Sequence, residues 1–205
     1  MKILLIGPQG SGKSTQAKLL AKELGVLYLS TGEIFRQMAK APTPLGKKIK
    51  KILNQGLLVD DETTIKIVKK FLTKPEFKHG FVAEGFPRNL TQAKKLKKVF
   101  DKVFYLTVNQ KEIMKRLTAR RVCQDCQADF NLLTKPPKKE GICDYCGGKL
   151  IQREDDTEEA IKQRLAIYHE LTKSVLDFYR RQGILEEVDG ERPLAVILED
   201  ILSRL

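Results

Sequence analysis

Ile3-Leu4-Leu5-Ile6-Gly7-Pro8-Gln9-Gly10-Ser11-Gly12-Lys13-Ser14-Thr15 joins an apolar run to a glycine-rich loop, and the residues after it read as a helix. This order is that of a phosphate-binding P-loop. Glycine at positions 7 and 12 lets the backbone curl so that several N–H groups face one anion, which a Cβ would obstruct. Lys13 then reaches the β- and γ-phosphates, and the Ser14 hydroxyl is placed to meet Mg²⁺. From Ser14 to Leu24 the pattern is helical, with Ala17, Leu20, Ala21 and Leu24 on one face and Gly25 as the stop. The positive end of that helix adds to the loop's attraction for phosphate.

Working outward, short apolar runs alternate with helical periods. Ile3–Ile6, Leu27–Leu29, Phe81–Ala83, Val103–Thr107 and Ile184–Val188 read as strands, the first four with little polar interruption. Parallel strands buried on both faces have that composition. Helical patterns lie near 14–24, 60–72, 90–99, 110–119, 157–182 and 194–204. The implied fold is α/β, a doubly wound five-stranded parallel sheet whose ligands sit beyond the carboxyl ends of the strands. Two segments break the alternation. Residues 30–59 form a helical insertion interrupted by Pro42, Pro44 and Gly46, and residues 120–156 are rich in Gly, Pro and Cys. The core is thus expected as 1–29, 60–119 and 157–205, with the two inserts between.

The second insert carries all four cysteines, as Cys123-Gln124-Asp125-Cys126 and Cys143-Asp144-Tyr145-Cys146. Two C-x2-C knuckles read as a tetrahedral Zn²⁺ site before they read as disulfides or a redox pair. Four thiolates leave no open position for water, so the metal is expected to be structural.

The chain of 205 residues has 38 Lys and Arg against 26 Asp and Glu, a net charge of +12. This suits polyanions in general. Lys47, Lys48, Lys50 and Lys51 around Ile49, and Lys94, Lys95, Lys97 and Lys98 around Leu96, read as solvated helix faces rather than a nucleic-acid groove. No run approaches the ~20 apolar residues that span a bilayer, and a cytoplasmic protein without membrane contact is expected. His79 and His169 stand alone, without the partners a catalytic histidine needs.

With the P-loop, Ser30-Thr31-Gly32-Glu33-Ile34-Phe35-Arg36, Gly56-Leu57-Leu58-Val59, Glu84-Gly85-Phe86-Pro87-Arg88, Arg116 to Arg121 and Gln152-Arg153-Glu154-Asp155-Asp156 all in order, the chain closely resembles the adenylate kinases. The four cysteines make it similar to the long-lid, zinc-bearing bacterial type. The resemblance implies two mobile segments and reversible, Mg²⁺-dependent phosphoryl transfer from ATP to AMP, giving two ADP, in a monomer. It implies that Gly10, Ser11, Gly12, Lys13, Ser14, Thr15, Arg116 and Arg120 hold ATP, with Asp129, Phe130 and Arg192 touching it largely through backbone. Thr31, Arg36, Leu57, Leu58, Val59, Gly85, Phe86, Pro87, Arg88 and Gln92 would hold AMP, joined by Arg153 and Arg164. Lys13, Arg88, Arg120, Arg153 and Arg164 would stabilise the transferring group, and Ser14 and Glu84 would serve Mg²⁺, Glu84 through water. Asp155 and Asp156 are expected to pair with basic groups at the lid hinge. Arg121 is ambiguous, and Arg180 and Arg181 are assigned to solvent.

Glu33 and Glu84 stand where the family usually has Asp, Asp60 where bacterial members often have Pro, and Ala119 where Gly is common. Thr31 favours adenine over the pyrimidines of UMP/CMP kinases, the nearest rival reading. A zinc-ribbon nucleic-acid-binding protein is the rival from another class, but Phe130 and Tyr145 are its only aromatics, where stacking on bases wants several. A nucleotide sensor without turnover would not need so many cations.

Overall fold

A computed structural model describes residues 1–154 and 156–205. In chain order, β1 (Lys2–Ile6) leads to α1 (Lys13–Glu23), β2 (Leu27–Ser30), α2 (Thr31–Lys40), α3 (Pro44–Asn54) and α4 (Asp61–Leu72). Then come β3 (Phe81–Glu84), α5 (Leu90–Lys95), β4 (Lys102–Thr107) and α6 (Gln110–Thr118). The second insert supplies β5 (Arg120–Cys123), β6 (Asp129–Asn131) and β7 (Leu150–Ile151), and the chain ends with α7 (Glu158–Arg180), β8 (Leu185–Asp189) and α8 (Leu194–Leu202).

Five strands form one parallel sheet in the order β2-β3-β1-β4-β8. The period of two sends Ile3 and Leu5 into one apolar layer with Ala17, Leu20, Phe104 and Ile201. Leu4 and Ile6 enter the opposite layer with Phe81, Phe86, Phe100, Val103 and Tyr179. Both layers are buried, which is why the strand has no polar alternation. Truncating Leu4 or Leu5, each at most 1% exposed, would cost about 2–5 kcal/mol.

The chain leaves β1 for the far side of β3 and later crosses to β4, so its direction of winding reverses next to β1. The loop after β1, the end of β3 and the turn after β8 therefore open onto one crevice, where such folds bind ligands.

The first insert becomes two helices because Ala41 to Thr43 end α2, and the Thr43 side chain accepts from the Gly46 N–H while Pro44 occupies the first turn of α3. Phe35, Ile49 and Val59 give it a small core of its own. The second insert is a three-stranded antiparallel sheet, β6-β5-β7, around Cys123, Phe130, Cys143 and Leu150.

The helix expected over 90–99 is shorter. α5 stops at Lys95, Leu96 turns into the core, and Lys98 takes a positive φ of 63° before Phe100 joins the aromatic cluster. The need to seat Phe100 against Phe81 and Tyr179 overrides the helical lysine pattern. A 3₁₀ turn at Pro75–His79 gave no periodic signal, and the last strand runs one residue later than its apolar run. The clustered lysines on α3 and after α5 are exposed, as are His79, His169, Arg180 and Arg181. Among the described residues no helix is long and apolar enough to cross a membrane.

Candidate active site

Backbone geometry shapes the loop after β1. Gly12 caps α1 with φ +84°, and Gly10 has φ +76°, conformations closed to most side chains. Gly7 is required for another reason: a Cβ there would sit 2.6 Å from Ser11 Oγ and 3.1 Å from the Leu106 carbonyl. The first turn of α1 has no acidic residue, so its positive end is not spent on an internal carboxylate. The buried Ser11 Oγ has no hydrogen-bond partner among the described residues.

A cleft of about 590 Å³ runs from this loop between the two inserts. Its wall includes Gly10 to Thr15, Arg116, Arg120, Asp129, Phe130 and Arg192, and also Thr31, Arg36, Leu57, Leu58, Val59, Gly85 and Gln92. Lys13, Glu84, Arg88, Arg153 and Arg164 line it together. Phe86 and Pro87 sit off the cleft. Phe86 is 1% exposed and packs on Phe100 in the core, and both residues line a small cavity behind Lys13 and Arg88. Gly85 has φ +88°, and a Cβ there would lie 2.7 Å from Thr31 Oγ1, so glycine lets β3 meet the start of α2.

The electrostatics are dominated by crowded cations. Burial, and then the fields of Arg88, Arg120 and Arg153, lower the Lys13 ammonium to about 7, with Glu84 acting in the opposite direction. Lys13 Nζ donates to the Pro8 carbonyl at 3.1 Å. Burial raises the Glu84 carboxyl, but Lys13, Ser30, Arg88 and Arg36 together hold it below the usual range. It is buried and accepts from Tyr28 Oη at 3.1 Å and from Ser30 Oγ. The extra methylene relative to Asp is used to reach β2.

Each arginine is held in place. Arg88 Nε donates to the Gly85 carbonyl at 2.6 Å, and Arg120 pairs with Asp156, whose side chain is completely buried. Arg116 donates to Glu112 and to the Gly190 carbonyl, both at 2.8 Å. Arg164 reaches Gln9 Oε1 and the Leu53 carbonyl at 3.3 Å. Arg153 meets Asp129 at 2.7 Å, and Arg192 pairs with Asp200. Asp156 pairs with basic groups, Arg120 and Arg164, as expected; Asp155 lies outside the described residues. Arg121 turns to the Thr118 and Arg120 carbonyls rather than to the cleft.

Sequence reasoning gave the Asp129 side chain no part. The structure gives it one. Burial pushes its carboxyl up, but Arg153, Lys18, Arg120 and Arg36 outweigh that and hold it below the ordinary value. Lys18 on α1 bridges Asp129 of β6 at 3.5 Å and Glu33 of α2 at 2.7 Å, so one core cation touches an acid from each insert. The inserts also meet directly, through Lys50 and Glu154 at 2.9 Å. No local pattern announces Lys18, because Asp129 lies 111 residues away.

The four sulfurs of Cys123, Cys126, Cys143 and Cys146 lie within 4.8 Å of one another. Cys123 and Cys146 are 3.4 Å apart, Cys126 and Cys143 3.5 Å. Four ~2.3 Å bonds in a tetrahedron require about 3.8 Å between sulfurs, so the cluster fits a metal ion of zinc's size. The Tyr145 N–H already donates to Cys143 Sγ at 3.4 Å, as a thiolate ligand would ask.

The family model described as adenylate kinase matches residues 5–184. The curated adenylate kinase of Caldicellulosiruptor bescii is 43% identical over 212 aligned positions, covering 100% of this chain and 99% of that protein. That of Clostridium acetobutylicum is 42% identical over 212, with 100% and 99% coverage. That of Archaeoglobus fulgidus is 41% identical over 208, with 98% and 96%. With the P-loop, the two inserts and the cation-lined cleft already in place, this full-length match shows that the chain belongs to the adenylate kinase family.

Proposed function

We propose that the protein transfers the terminal phosphoryl group of Mg·ATP to AMP, reversibly, giving two ADP. The observation that carries this reading is the convergence of Lys13, Arg88, Arg120, Arg153 and Arg164 on one cleft, close enough that three of the arginines lower the lysine's proton affinity. So many cations repel one another unless a polyanion sits among them. Two nucleotides placed phosphate to phosphate supply it.

In this reading Gly10 to Thr15 cradle the ATP phosphates, with Arg116 against the base and Arg120 on phosphate. Thr31, Arg36, the 57–59 backbone, Gly85, Arg88 and Gln92 hold AMP. An AMP phosphate oxygen attacks the γ-phosphorus as the bond to the β–γ bridging oxygen breaks, and ADP leaves. The attacking oxygen is already ionised, so no general base is needed; both histidines are exposed. The work left to the protein is alignment and charge stabilisation. Planar guanidinium groups contact two phosphate oxygens at once. Mg²⁺, held by the Ser14 hydroxyl and by Glu84 through water, would neutralise charge on the transferring phosphates.

Residues 30–59 and 120–156 are proposed to close as two lids over the 1–29, 60–119 and 157–205 core, excluding the water that competes as acceptor. Zn²⁺ on the four cysteines would replace the apolar core that the second lid lacks. The four free thiols suit the reducing cytoplasm. A nucleic-acid-binding role finds less support, because among the described residues of the cysteine-bearing insert Phe130 is 3% exposed and only Tyr145, at 66%, offers a ring for stacking. Lys13→Met tests the proposal. It is expected to remove nearly all ADP formation from ATP and AMP while leaving the circular dichroism spectrum unchanged; turnover close to the parent's would overturn it.

A further inference from the structure

Gln92, 1% exposed on the cleft wall, has a side-chain amide whose polarity is fixed at both ends. Its Oε1 accepts the Arg88 backbone N–H at 2.8 Å, and its Nε2 donates to Asp61 Oδ1 at 2.8 Å. A backbone N–H can meet only the oxygen, and a carboxylate only the NH₂, so both partners demand the same orientation. Asp61, the first residue of α4, also accepts from Asn89 Nδ2 at 2.8 Å, and Asn89 Oδ1 caps α5 by accepting the Gln92 backbone N–H at 2.9 Å. Three side chains thus form a closed ring of hydrogen bonds, with Asp61 itself outside the cleft wall.

An amide has two acceptor sites and two N–H donors. With one of each used, Gln92 keeps one acceptor beside one donor. That pair complements an exocyclic amino group next to an unprotonated ring nitrogen, the edge of a 6-aminopurine. A 6-oxopurine of the same size presents the reverse, oxygen against Oε1 and ring N–H against Nε2, leaving buried polar groups opposed.

We infer that Asp61 is a specificity-determining positioning residue: by locking the Gln92 amide it makes the acceptor site select a 6-aminopurine and reject a 6-oxopurine. The inference rests on the proposal that Gln92 helps hold AMP, and puts its amide against the base. Sites built to pair with a hydrogen-bonding edge discriminate more strongly than pocket shape alone allows.

The test compares AMP with inosine monophosphate, which differs at this edge. Both kcat/KM with Mg·ATP and the calorimetric Kd of each monophosphate alone are measured. The parent is expected to prefer AMP by at least about a hundredfold. Asp61→Ala is expected to raise the KM for AMP severalfold and to cut the AMP-to-IMP ratio about tenfold, while kcat and the KM for ATP change by less than about threefold. Asp61→Asn keeps Oδ1, the atom both bonds use, and is expected to retain the parental ratio. If Asp61→Ala does not fold, Asp61→Ser, too short to reach Gln92, takes its place. An unchanged ratio in the Ala or Ser variant, or an Asn variant as relaxed as Ala, overturns the inference, as does a parent that accepts IMP as readily as AMP. A parent that binds and phosphorylates neither defeats the functional proposal instead.

Discussion

Glu84→Gln removes a buried negative charge while preserving size, and its consequences follow from what surrounds it. The carboxylate is 4% exposed and is the group that chiefly sustains the charge on Lys13, already lowered to about 7 by burial and three arginines. Without it the Lys13 ammonium loses its proton at lower pH. At pH ~6.5, below the parent's value of about 7, the parent lysine is mostly charged while the variant's is neutral and contacts phosphate through an ordinary hydrogen bond, a difference of about 1–2 kcal/mol. Any contribution of the carboxylate to positioning hydrated Mg²⁺ is lost as well. The sum is on the order of 2.7 kcal/mol, about a hundredfold in kcat/KM. The sign with pH is definite. A neutral Lys13 binds phosphate less well, so kcat/KM falls as pH rises through its pKa, and the variant's alkaline limb moves to lower pH. Glu84→Asp keeps the charge but withdraws it by about 1.5 Å, away from Tyr28 Oη at 3.1 Å and from Ser30. It is expected to lose less than about tenfold in turnover, since a contact made through water absorbs the difference, and about 1–3 kcal/mol of stability. Initial rates across pH and Mg²⁺ concentration, with urea unfolding alongside, measure all of these. A Glu84→Gln enzyme as active as the parent at every Mg²⁺ concentration, with an unmoved alkaline limb, would refute the reasoning.

Asp129→Asn should cost about 1–3 kcal/mol of stability near neutral pH, between the values for exposed and buried pairs, because it breaks half-buried contacts to Arg153 and Lys18. The folded pKa of Asp129 lies below the ordinary 3.8, so its contribution is complete above that pH and is lost as pH falls through the folded value. The gap between parent and variant in urea midpoints should therefore shrink only in strong acid; a gap that closes already at pH ~6 would contradict the assignment. Protein expressed with adequate zinc should contain one metal ion per chain, and chelating zinc that had been present at about a thousand times its Kd should forfeit about 4 kcal/mol, or about 10 °C in Tm. Part of the ATP affinity should survive chelation, because the P-loop does not depend on the lid; complete loss, or metal content near zero, would count against a structural ion. The contact of Lys50 with Glu154 at 2.9 Å marks a closed arrangement of the two inserts, so paired fluorophores on them should read a longer mean distance in free protein than in the diadenosine pentaphosphate complex, and equal distances with and without that ligand would argue against lid closure.

The architecture was legible wherever local signals agreed with burial. The Ile3–Ile6 run and the glycine loop announce a buried parallel strand and an anion site within fifteen residues, and the two C-x2-C knuckles announce a sulfur cluster that the fold does gather. Failures occurred where distant packing overrode local pattern. Lysines 94–98 read as helix, yet the demand to bury Phe100 unwinds it. The arginines named from their joint placement do line one cleft, but of the acids that hold them only Asp156 was expected to pair with a basic group. Lys18, Asp61 and Asp129 act through partners far away in sequence, and no periodicity or motif encodes such a meeting. Phe86, flanked by site residues, is committed to the core instead.

Choice of acceptor and phosphoryl transfer are read together in one assay. Incubating the purified protein with Mg·ATP and, separately, AMP, UMP, CMP or GMP, and separating the nucleotides by chromatography, tests both directly. The account predicts rapid formation of two ADP from AMP and at least about tenfold slower transfer to each of the others. Equal turnover of UMP or CMP would move the protein to a pyrimidine monophosphate kinase role, and no transfer to any acceptor would contradict the account.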